Sequence, residues 1–155
     1  MKFKNKGFTL IELLVVISII GIITTLISAN LNAARERGRD AQRKSDLYNI
    51  RTGLRLYYND KMGFPGNNSS GQILGCGTGG TTACEWAEEW TSGSTTYMVV
   101  LPNDPLEGQS YKYQVETDNE SFTLSSCLEN KSDDKGVITD DVSWCSTGWM
   151  YQIIQ

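Results

Sequence analysis

The feature that most constrains this chain is an apolar run near its N-terminus. Phe8 to Ile27 gives twenty residues, interrupted only by threonine, serine, glycine and a single carboxylate, Glu12. Twenty helical residues extend about 30 Å, the thickness of one bilayer core. The run is therefore predicted to span a membrane once. An ionised carboxylate at the centre of such a helix costs about 2.5–3.5 kcal/mol, so Glu12 is expected to have a partner and a role.

A cleaved secretory signal peptide is the alternative interpretation of this run. The apolar region of a signal peptide is normally about 7–15 residues long and ends in a small-x-small cleavage site. The stretches ISAN and NAAR, which follow the run here, match that site poorly. A glutamate inside the apolar region is also unusual. The run is therefore interpreted as a retained anchor.

The helical pattern continues from Leu31 without a proline until Pro65. One apolar stripe recurs at steps of three and four residues, which is typical of an amphipathic helix; its members are Leu47, Ile50, Leu54, Tyr57 and Tyr58. Asp40 and Lys44 have the spacing of a helical ion pair on the exposed side. We predict one helix from Phe8 to Asn59, with a membrane-spanning part over 8–30 and an amphipathic part over 31–61 that continues into a head.

Residues 62–155 are rich in turn-forming residues and are predicted to form that head. Alternating apolar positions predict strands around 111–115, 122–128 and 148–154, with ETDNE as a hairpin loop between the first two. TTYMVVL at 95–101 fits a strand or the core edge of a helix, and CEWAEEW at 84–90 is predicted to form one or two helical turns. The predicted fold class is α+β, with the long N-terminal helix packed on a small antiparallel sheet.

The four cysteines, Cys76, Cys84, Cys127 and Cys145, all lie in the head, and none form a C-x-x-C motif. An even number in a small head behind an apolar segment favours two disulfides in an oxidising compartment. Three pairings are available, and we favour Cys76 with Cys84 and Cys127 with Cys145 because both close short loops. The basic flank after the run favours the opposite topology, with that flank in the cytoplasm. We give the cysteines more weight and predict an extracytoplasmic head.

Charge and composition exclude several classes of function. Residues 1–61 carry a net charge of +6 and residues 62–155 a net charge of −10, so the head is not expected to bind nucleic acid. The chain contains no histidine. This absence removes Ser-His and Cys-His nucleophiles and histidine-ligated zinc. Carboxylate-only or lysine-based catalysis stays open, but the sequence shows no nucleophile–base pair, and we predict that the protein is not an enzyme.

The stretch from Lys6 to Pro65, with its G-F-T-L-I-E core, resembles the N-terminal third of type IV pilins and type II secretion pseudopilins. MGFPG, LPNDP and YKYQV resemble the head of the major pseudopilin. The resemblance implies that residues 1–7 are a leader peptide, and that a dedicated prepilin peptidase cuts between Gly7 and Phe8 and methylates the new amine. It also implies that Glu12 of one subunit pairs with the Phe8 amine of a neighbour during assembly.

The function implied by the resemblance is that of a structural subunit of a type IV pilus or pseudopilus. The expected partners are copies of the same chain, the prepilin peptidase and an inner-membrane assembly platform. Before assembly the subunit would lie in the inner or cytoplasmic membrane with its head outside the cytoplasm, and afterwards in a periplasmic or extracellular filament. The alternative is a minor pilin-like binding module, an adhesin or a DNA-uptake tip protein.

Two weaker patterns in the head remain. Asp133, Asp134, Asp140 and Asp141 cluster in SDDKGVITDD, and oxygen-rich clusters suit calcium. The major pseudopilin, which the head resembles, has a calcium-stabilised loop in this region. We name these aspartates as a candidate calcium site, with a solvated acidic loop as the alternative and no other cofactor expected. The four tryptophans fit either a core or an exposed sugar-stacking surface.

Overall fold

The computed structural model describes residues 7–155, apart from the side chains of residues 26, 28 and 29. Residues 1–6, which make up most of the predicted leader, lie outside the described residues. The chain divides into two compact units, Met1–Glu36 and Arg37–Gln155. The α+β architecture predicted from the sequence is confirmed.

The helix α1 spans Leu10–Lys61, 52 residues, in place of the predicted Phe8 to Asn59. Both ends are set by local chemistry. Thr9 caps the first turn, so the helix begins two residues later than the apolar run. Met62 adopts a left-handed conformation (φ 58°) and donates its N–H to the carbonyl of Tyr58 at 2.8 Å. This is an αL cap, and Gly63 and Pro65 follow it.

The second unit carries nine short strands, and every paired strand among the described residues is antiparallel. Three sheets result, with the strand orders β1-β2-β3, β4-β5 and β6-β7-β9-β8. The strands are β1 Gly66–Asn67, β2 Ile73–Cys76, β3 Thr82–Ala83, β4 Trp90–Ser92, β5 Thr95–Met98, β6 Lys112–Val115, β7 Phe122–Cys127, β8 Val137–Ile138 and β9 Trp149–Ile154.

The core of the second unit forms where the α1 stripe meets the four-stranded sheet. Burial alternates along β9 and at the start of β7, as the period of two requires for a sheet with one covered face, whereas Leu124–Cys127 of β7 are buried consecutively. The buried side chains of α1 and the sheet include Leu47, Ile50, Leu54, Tyr57, Tyr113, Phe122, Leu124, Tyr151 and Ile153. The predicted stripe and the three predicted strands are thus confirmed. Full burial of each such aliphatic or aromatic side chain contributes about 1.5–3 kcal/mol.

Gly53 lies in the part of α1 that packs on the head, although glycine weakens a helix. A glycine here costs about 1 kcal/mol of helix stability relative to alanine. A Cβ at this position would lie 2.9 Å from Met98 Cγ and Sδ and 3.2 Å from Trp90. Gly53 therefore lets α1 approach β4 and β5 more closely than any side chain would permit.

The helical turns predicted for residues 84–90 are wrong. This segment is a turn that leads into β4, and Ala87 has a left-handed backbone (φ 68°). The segment makes one local turn bond, from Glu88 N–H to Glu85 O at 3.3 Å, and its shorter backbone bonds go to the distant residue Leu101: Ala87 N–H donates to Leu101 O at 2.8 Å and Leu101 N–H donates to Glu88 O at 2.7 Å. These long-range bonds replace the local bonds that a helix would make.

Candidate assembly segment and head ion network

Thr9 and Glu12 form a reciprocal cap at the start of α1. The Thr9 backbone N–H donates to Glu12 Oε2 at 2.9 Å, and the Thr9 hydroxyl lies 2.8 Å from the same oxygen. In return, Glu12 N–H donates to Thr9 Oγ1 at 3.2 Å. The arrangement is the capping box that a T-x-x-E sequence favours. Both contacts to the carboxylate end on Oε2, so Oε1 is left for a further donor.

The described apolar side chains in the N-terminal part of α1 face outward. Leu10 is 81% exposed and Ile22 is 64% exposed. An apolar stretch of 18 residues in α1 is not buried within the described structure. Length and composition thus allow this helix to cross a membrane.

Three hydroxyl groups described in this segment bond to the helix itself. Ser18 and Thr24 donate to carbonyls four residues earlier, both at 2.7 Å, and Thr25 donates to Ile22 O at 2.8 Å. A polar group with a local acceptor can enter hydrocarbon without an unmade hydrogen bond. Glu12 differs from these hydroxyl groups because its charge is expected to need a partner outside its own helix.

In the head, Arg43 is the centre of a buried ion network. Its guanidinium makes two parallel contacts with Asp104, at 2.8 Å each, and a third with Asp40 at 2.7 Å. Glu129 accepts from Arg43 at 2.7 Å and from Arg39 at 2.7 and 2.5 Å. The Arg43 side chain is 1% exposed. Burial alone would lower the pKa of Arg43, but its bonds with Asp104 and Glu129 outweigh burial and raise it.

Asp40 has a different role from the helical pair with Lys44 that its spacing predicted. It is buried, and its two oxygens accept the backbone N–H groups of Glu129 and Asn130 at 3.0 and 2.8 Å. Lys44 instead contacts Asp133. Asp40 thus fixes the chain just after β7 to α1, which a surface pair would not do.

One feature of the sequence indicates this network, although the pattern of apolar residues does not include it. Arg43 lies four residues before Leu47, so it extends the apolar stripe of α1 by one step. A charged residue in a buried stripe requires opposite charges nearby. Those charges come from Asp104 and Glu129, which are 61 and 86 residues away in the sequence.

The network makes the stability of the head depend on pH. Hydrogen bonds from Arg39 and then from Arg43 hold the pKa of Glu129 at about 2, below its ordinary value of 4.5. Because the pKa of Glu129 is lower in the folded than in the unfolded protein, Glu129 stabilises the fold at pH values above its unfolded pKa. This contribution is lost as the pH falls from about 4.5 to 2. We expect Glu129→Gln to lower the free energy of unfolding by about 2–3 kcal/mol at pH 7.

The measurement is urea unfolding of wild type and variant from pH 7 to pH 2.5. The difference between them should shrink as the pH falls through 4. Glu107→Gln, at an exposed carboxylate, serves as the control and should change the free energy of unfolding by less than about 0.5 kcal/mol at every pH. A difference for Glu129→Gln that stays constant with pH would contradict the assigned cause.

Two disulfides link the cysteines of the head. Cys76 joins Cys84 and Cys127 joins Cys145, each with a Cα–Cα distance of 5.2 Å. These are the two pairs predicted from short loops. The first bridges the end of β2 to the residue after β3. The second joins the end of β7 to the loop before β9, and so closes the segment that contains the four aspartates.

The tryptophans do not form one exposed surface. Trp90 is fully buried, and Trp86 packs edge-on against Tyr111 with ring centroids 5.7 Å apart. The Lys112 ammonium lies 4.9 Å from the centroid of Trp144, and Trp149 packs against the core. The positions of the tryptophans therefore do not support the alternative of an exposed sugar-stacking surface.

The four aspartates are not assembled into one site. Asp133 contacts Lys44 at 2.5 Å, and Asp141 contacts Lys112. Asp134 and Asp140 are exposed. Among residues 7–155 there is no group of three or more acidic, cysteine or histidine side chains placed to hold a metal ion. The geometry of these residues does not fit the calcium site that was named from the sequence.

Comparison with known proteins gives one family match and several relatives. Residues 2–28 match the family model of the prokaryotic N-terminal methylation motif. The type II secretion system core protein G of Klebsiella pneumoniae is 30% identical over 109 residues, which cover 70% of this chain and 74% of the relative. The same protein of Aeromonas hydrophila is 31% identical over 67% of this chain and 69% of its own length.

Other relatives match over shorter stretches of the chain. The chain covers about half (49%) of the Escherichia coli core protein G, with 35% identity over 71 residues. It covers 26% of the type IV major pilin PilA of Myxococcus xanthus, with 33% identity over 58 residues. No solved structure gives a significant match. With a methylation motif that includes the start of the capped apolar helix, and a head included in the longer alignments, this chain belongs to the type II secretion core protein G family of pilin-like proteins.

Proposed function

We propose that this protein is a structural subunit of a pseudopilus-type filament, assembled by bundling of the N-terminal helices. The observation that carries the proposal is an exposed apolar helix with one carboxylate, Glu12, in its first turn. Such a surface is stable either in lipid or against other helices of the same kind. The core protein G relatives, whose alignments extend into the head, support a secretion pseudopilus over other filaments.

The free oxygen of Glu12 has a natural partner in a neighbouring subunit. Cleavage between Gly7 and Phe8 would create a cationic amine at Phe8, one turn from Glu12. In a bundle, the amine of one subunit would meet Glu12 Oε1 of the next, while Oε2 remains in its cap with Thr9. The attraction between the two charges offsets part of the desolvation cost of each. The pair also fixes the axial register of the helices, the best-supported use of buried polar groups.

The proposed partners follow from this mechanism. A prepilin peptidase would process the subunit, and an inner-membrane assembly platform would move it from the membrane into the filament. Before assembly, α1 would anchor the protein in the inner or cytoplasmic membrane, with the disulfide-bonded head outside the cytoplasm. The head, with its net negative charge, would then line the outside of a periplasmic or extracellular filament.

Cleavage is tested directly by the N-terminus of the assembled protein. We expect mass spectrometry of sheared filaments to find a methylated Phe8 as the first residue. Replacement of Gly7 by leucine should leave uncleaved precursor in the membrane, because Gly7 has open space around it and a bulky side chain there would obstruct the peptidase rather than the fold. Replacement of Gly21 by leucine is the control, since its Cβ position is equally open. Assembled protein that begins at Met1 would refute the proposal.

A further inference from the structure

Both oxygens of Asp133 are engaged by donors from the protein itself. Oδ2 accepts from the Lys44 ammonium at 2.5 Å, and Oδ1 accepts from the backbone N–H of Lys135 at 3.0 Å. The Asp133 side chain is 15% exposed. The contact with Lys44 joins the acidic segment, residues 129–145, to α1, and the two residues are 89 apart in the sequence.

Asp141, at the other end of the segment, is engaged in the same way. Its Oδ2 accepts from the Lys112 ammonium on β6. Its Oδ1 accepts from the Ser143 hydroxyl at 2.6 Å and from the Trp144 N–H at 3.3 Å. The protein's own donors thus occupy two acceptor sites of Asp133 and three of Asp141, out of about four on each carboxylate.

The two lysines share a second feature. The Lys44 ammonium lies 5.4 Å from the ring centroid of Tyr151, and the Lys112 ammonium lies 4.9 Å from that of Trp144. Each cation thus has a carboxylate on one side and an aromatic face on another, and both contacts are attractive. Lys44 contributes most to the lowered pKa of Asp133, and Lys112 to the lowered pKa of Asp141.

We propose that the ammonium groups of Lys44 and Lys112 hold the acidic segment 129–145 in place of a divalent cation, so that the head folds and remains stable without calcium. Lys44 fastens the first half of the segment to α1, and Lys112 fastens the second half to β6. The disulfide between Cys127 and Cys145 closes its base.

Calcium requires an arrangement that this segment does not offer. It takes about six to eight oxygen ligands around one point. Asp133 and Asp141 are held by two different elements, and Asp134 and Asp140 are exposed. A calcium ion would have to displace both lysines and bring the ends of the segment together. Lysine, as a compact point charge on a long stem, neutralises each carboxylate where it stands.

The first test is thermal unfolding of the full-length protein in detergent, with calcium added or with a chelator. A site filled by calcium at about a hundredfold excess over its dissociation constant would raise the melting temperature of a chain of this size by about 5 °C or more. We expect a shift of less than about 1 °C from the chelated to the calcium-loaded sample, and no heat of binding in a calcium titration. A saturable binding heat with a matching rise in melting temperature would overturn the proposal.

The second test measures amide hydrogen exchange in residues 129–145. Lys44→Met and Lys112→Met should each speed exchange there roughly two- to fivefold, as expected for a partly exposed ion pair. The larger effect is expected for Lys44, whose side chain is 22% exposed against 35% for Lys112. Lys131→Met, at an exposed lysine of the same segment, is the control and should leave exchange unchanged. Equal exchange in all three variants would refute the role of the two lysines, and the calcium titration of the wild type gives its answer even if a variant fails to fold.

Discussion

Glu12→Ala is expected to abolish filaments while membrane insertion and cleavage continue. The substitution removes a costly charge from the bilayer, so insertion should be as efficient as in the wild type. In the bundle, however, the neighbouring Phe8 amine would be buried without its counter-charge. Loss of one partner of a buried pair costs about 3–5 kcal/mol, more than a hundredfold in the association of each subunit. The measurement is the yield of sheared filaments by electron microscopy, with membrane and cleaved fractions followed by mass spectrometry.

Two further variants separate the charge of Glu12 from its capping role. Glu12→Gln preserves the shape and the cap with Thr9 but removes the charge, so it should assemble nearly as poorly as alanine. Thr9→Val removes the threonine hydroxyl, which takes part in two of the three contacts, but leaves the charge of Glu12 intact. Loss of an N-cap costs about 1 kcal/mol, so Thr9→Val should assemble at reduced but measurable yield. If Thr9→Val were as defective as Glu12→Ala, capping and not charge pairing would be the function of Glu12.

Arg43→Met is expected to be the most destabilising single substitution in the head. It removes the cation that Asp40, Asp104 and Glu129 share, and leaves the two aspartates buried without it. Breaking a buried pair in this way costs about 3–5 kcal/mol. Chemical unfolding followed by tryptophan fluorescence would measure the loss, since Trp90 lies in the core. Arg37→Met, at an exposed position on the same helix, should change stability by less than about 0.5 kcal/mol.

Arg43→Lys and a double variant separate the contribution of the arginine charge from that of its paired contacts with Asp104. Lysine keeps the charge but cannot make the two parallel contacts with Asp104, so an intermediate loss is expected. Arg43→Met with Asp104→Leu removes one stranded charge as well as the cation, and should recover part of the stability lost in Arg43→Met alone. If Arg43→Met cost no more than Arg37→Met, the network would contribute nothing to the stability of the head.

The parts of this protein that could be predicted from sequence are those in which neighbouring residues carry the information. The stripe from Leu47 to Tyr58 repeats at the helical period, and the alternation in β6, β7 and β9 repeats at the strand period. Both patterns arise because one face of the helix or strand is buried, so the periodicity of the sequence matches the burial in the structure. The Thr9–Glu12 cap is equally local, since its members are three residues apart.

The parts that could not be predicted depend on contacts between distant residues. Residues 84–90 have the composition of a helical turn, but pairing with Leu101 outweighs that weak preference. The spacing of Asp40 and Lys44 suggested a surface pair, yet each takes a partner 89 residues or more along the chain. The aspartates from 133 to 141 look like calcium ligands until Lys44 and Lys112 are brought to them by the fold. In each case the partner that the residue takes in the structure is too far away in the sequence to contribute to a local pattern.

The strand order β6-β7-β9-β8 has a consequence for the timing of biogenesis. Among the strands of the described residues, β9 comes last and lies between two strands that precede it. Neither the hydrogen bonds of β7 on that side nor the attachment of β8 can form until residues 149–154 have been synthesised. A head that emerges in order from a ribosome or a translocation channel therefore keeps this side of β7 unpaired until β9 has emerged. Pairing of β9 completes the four-stranded sheet, and a subunit that lacks β9 would lack the finished surface with which a head could join its neighbours.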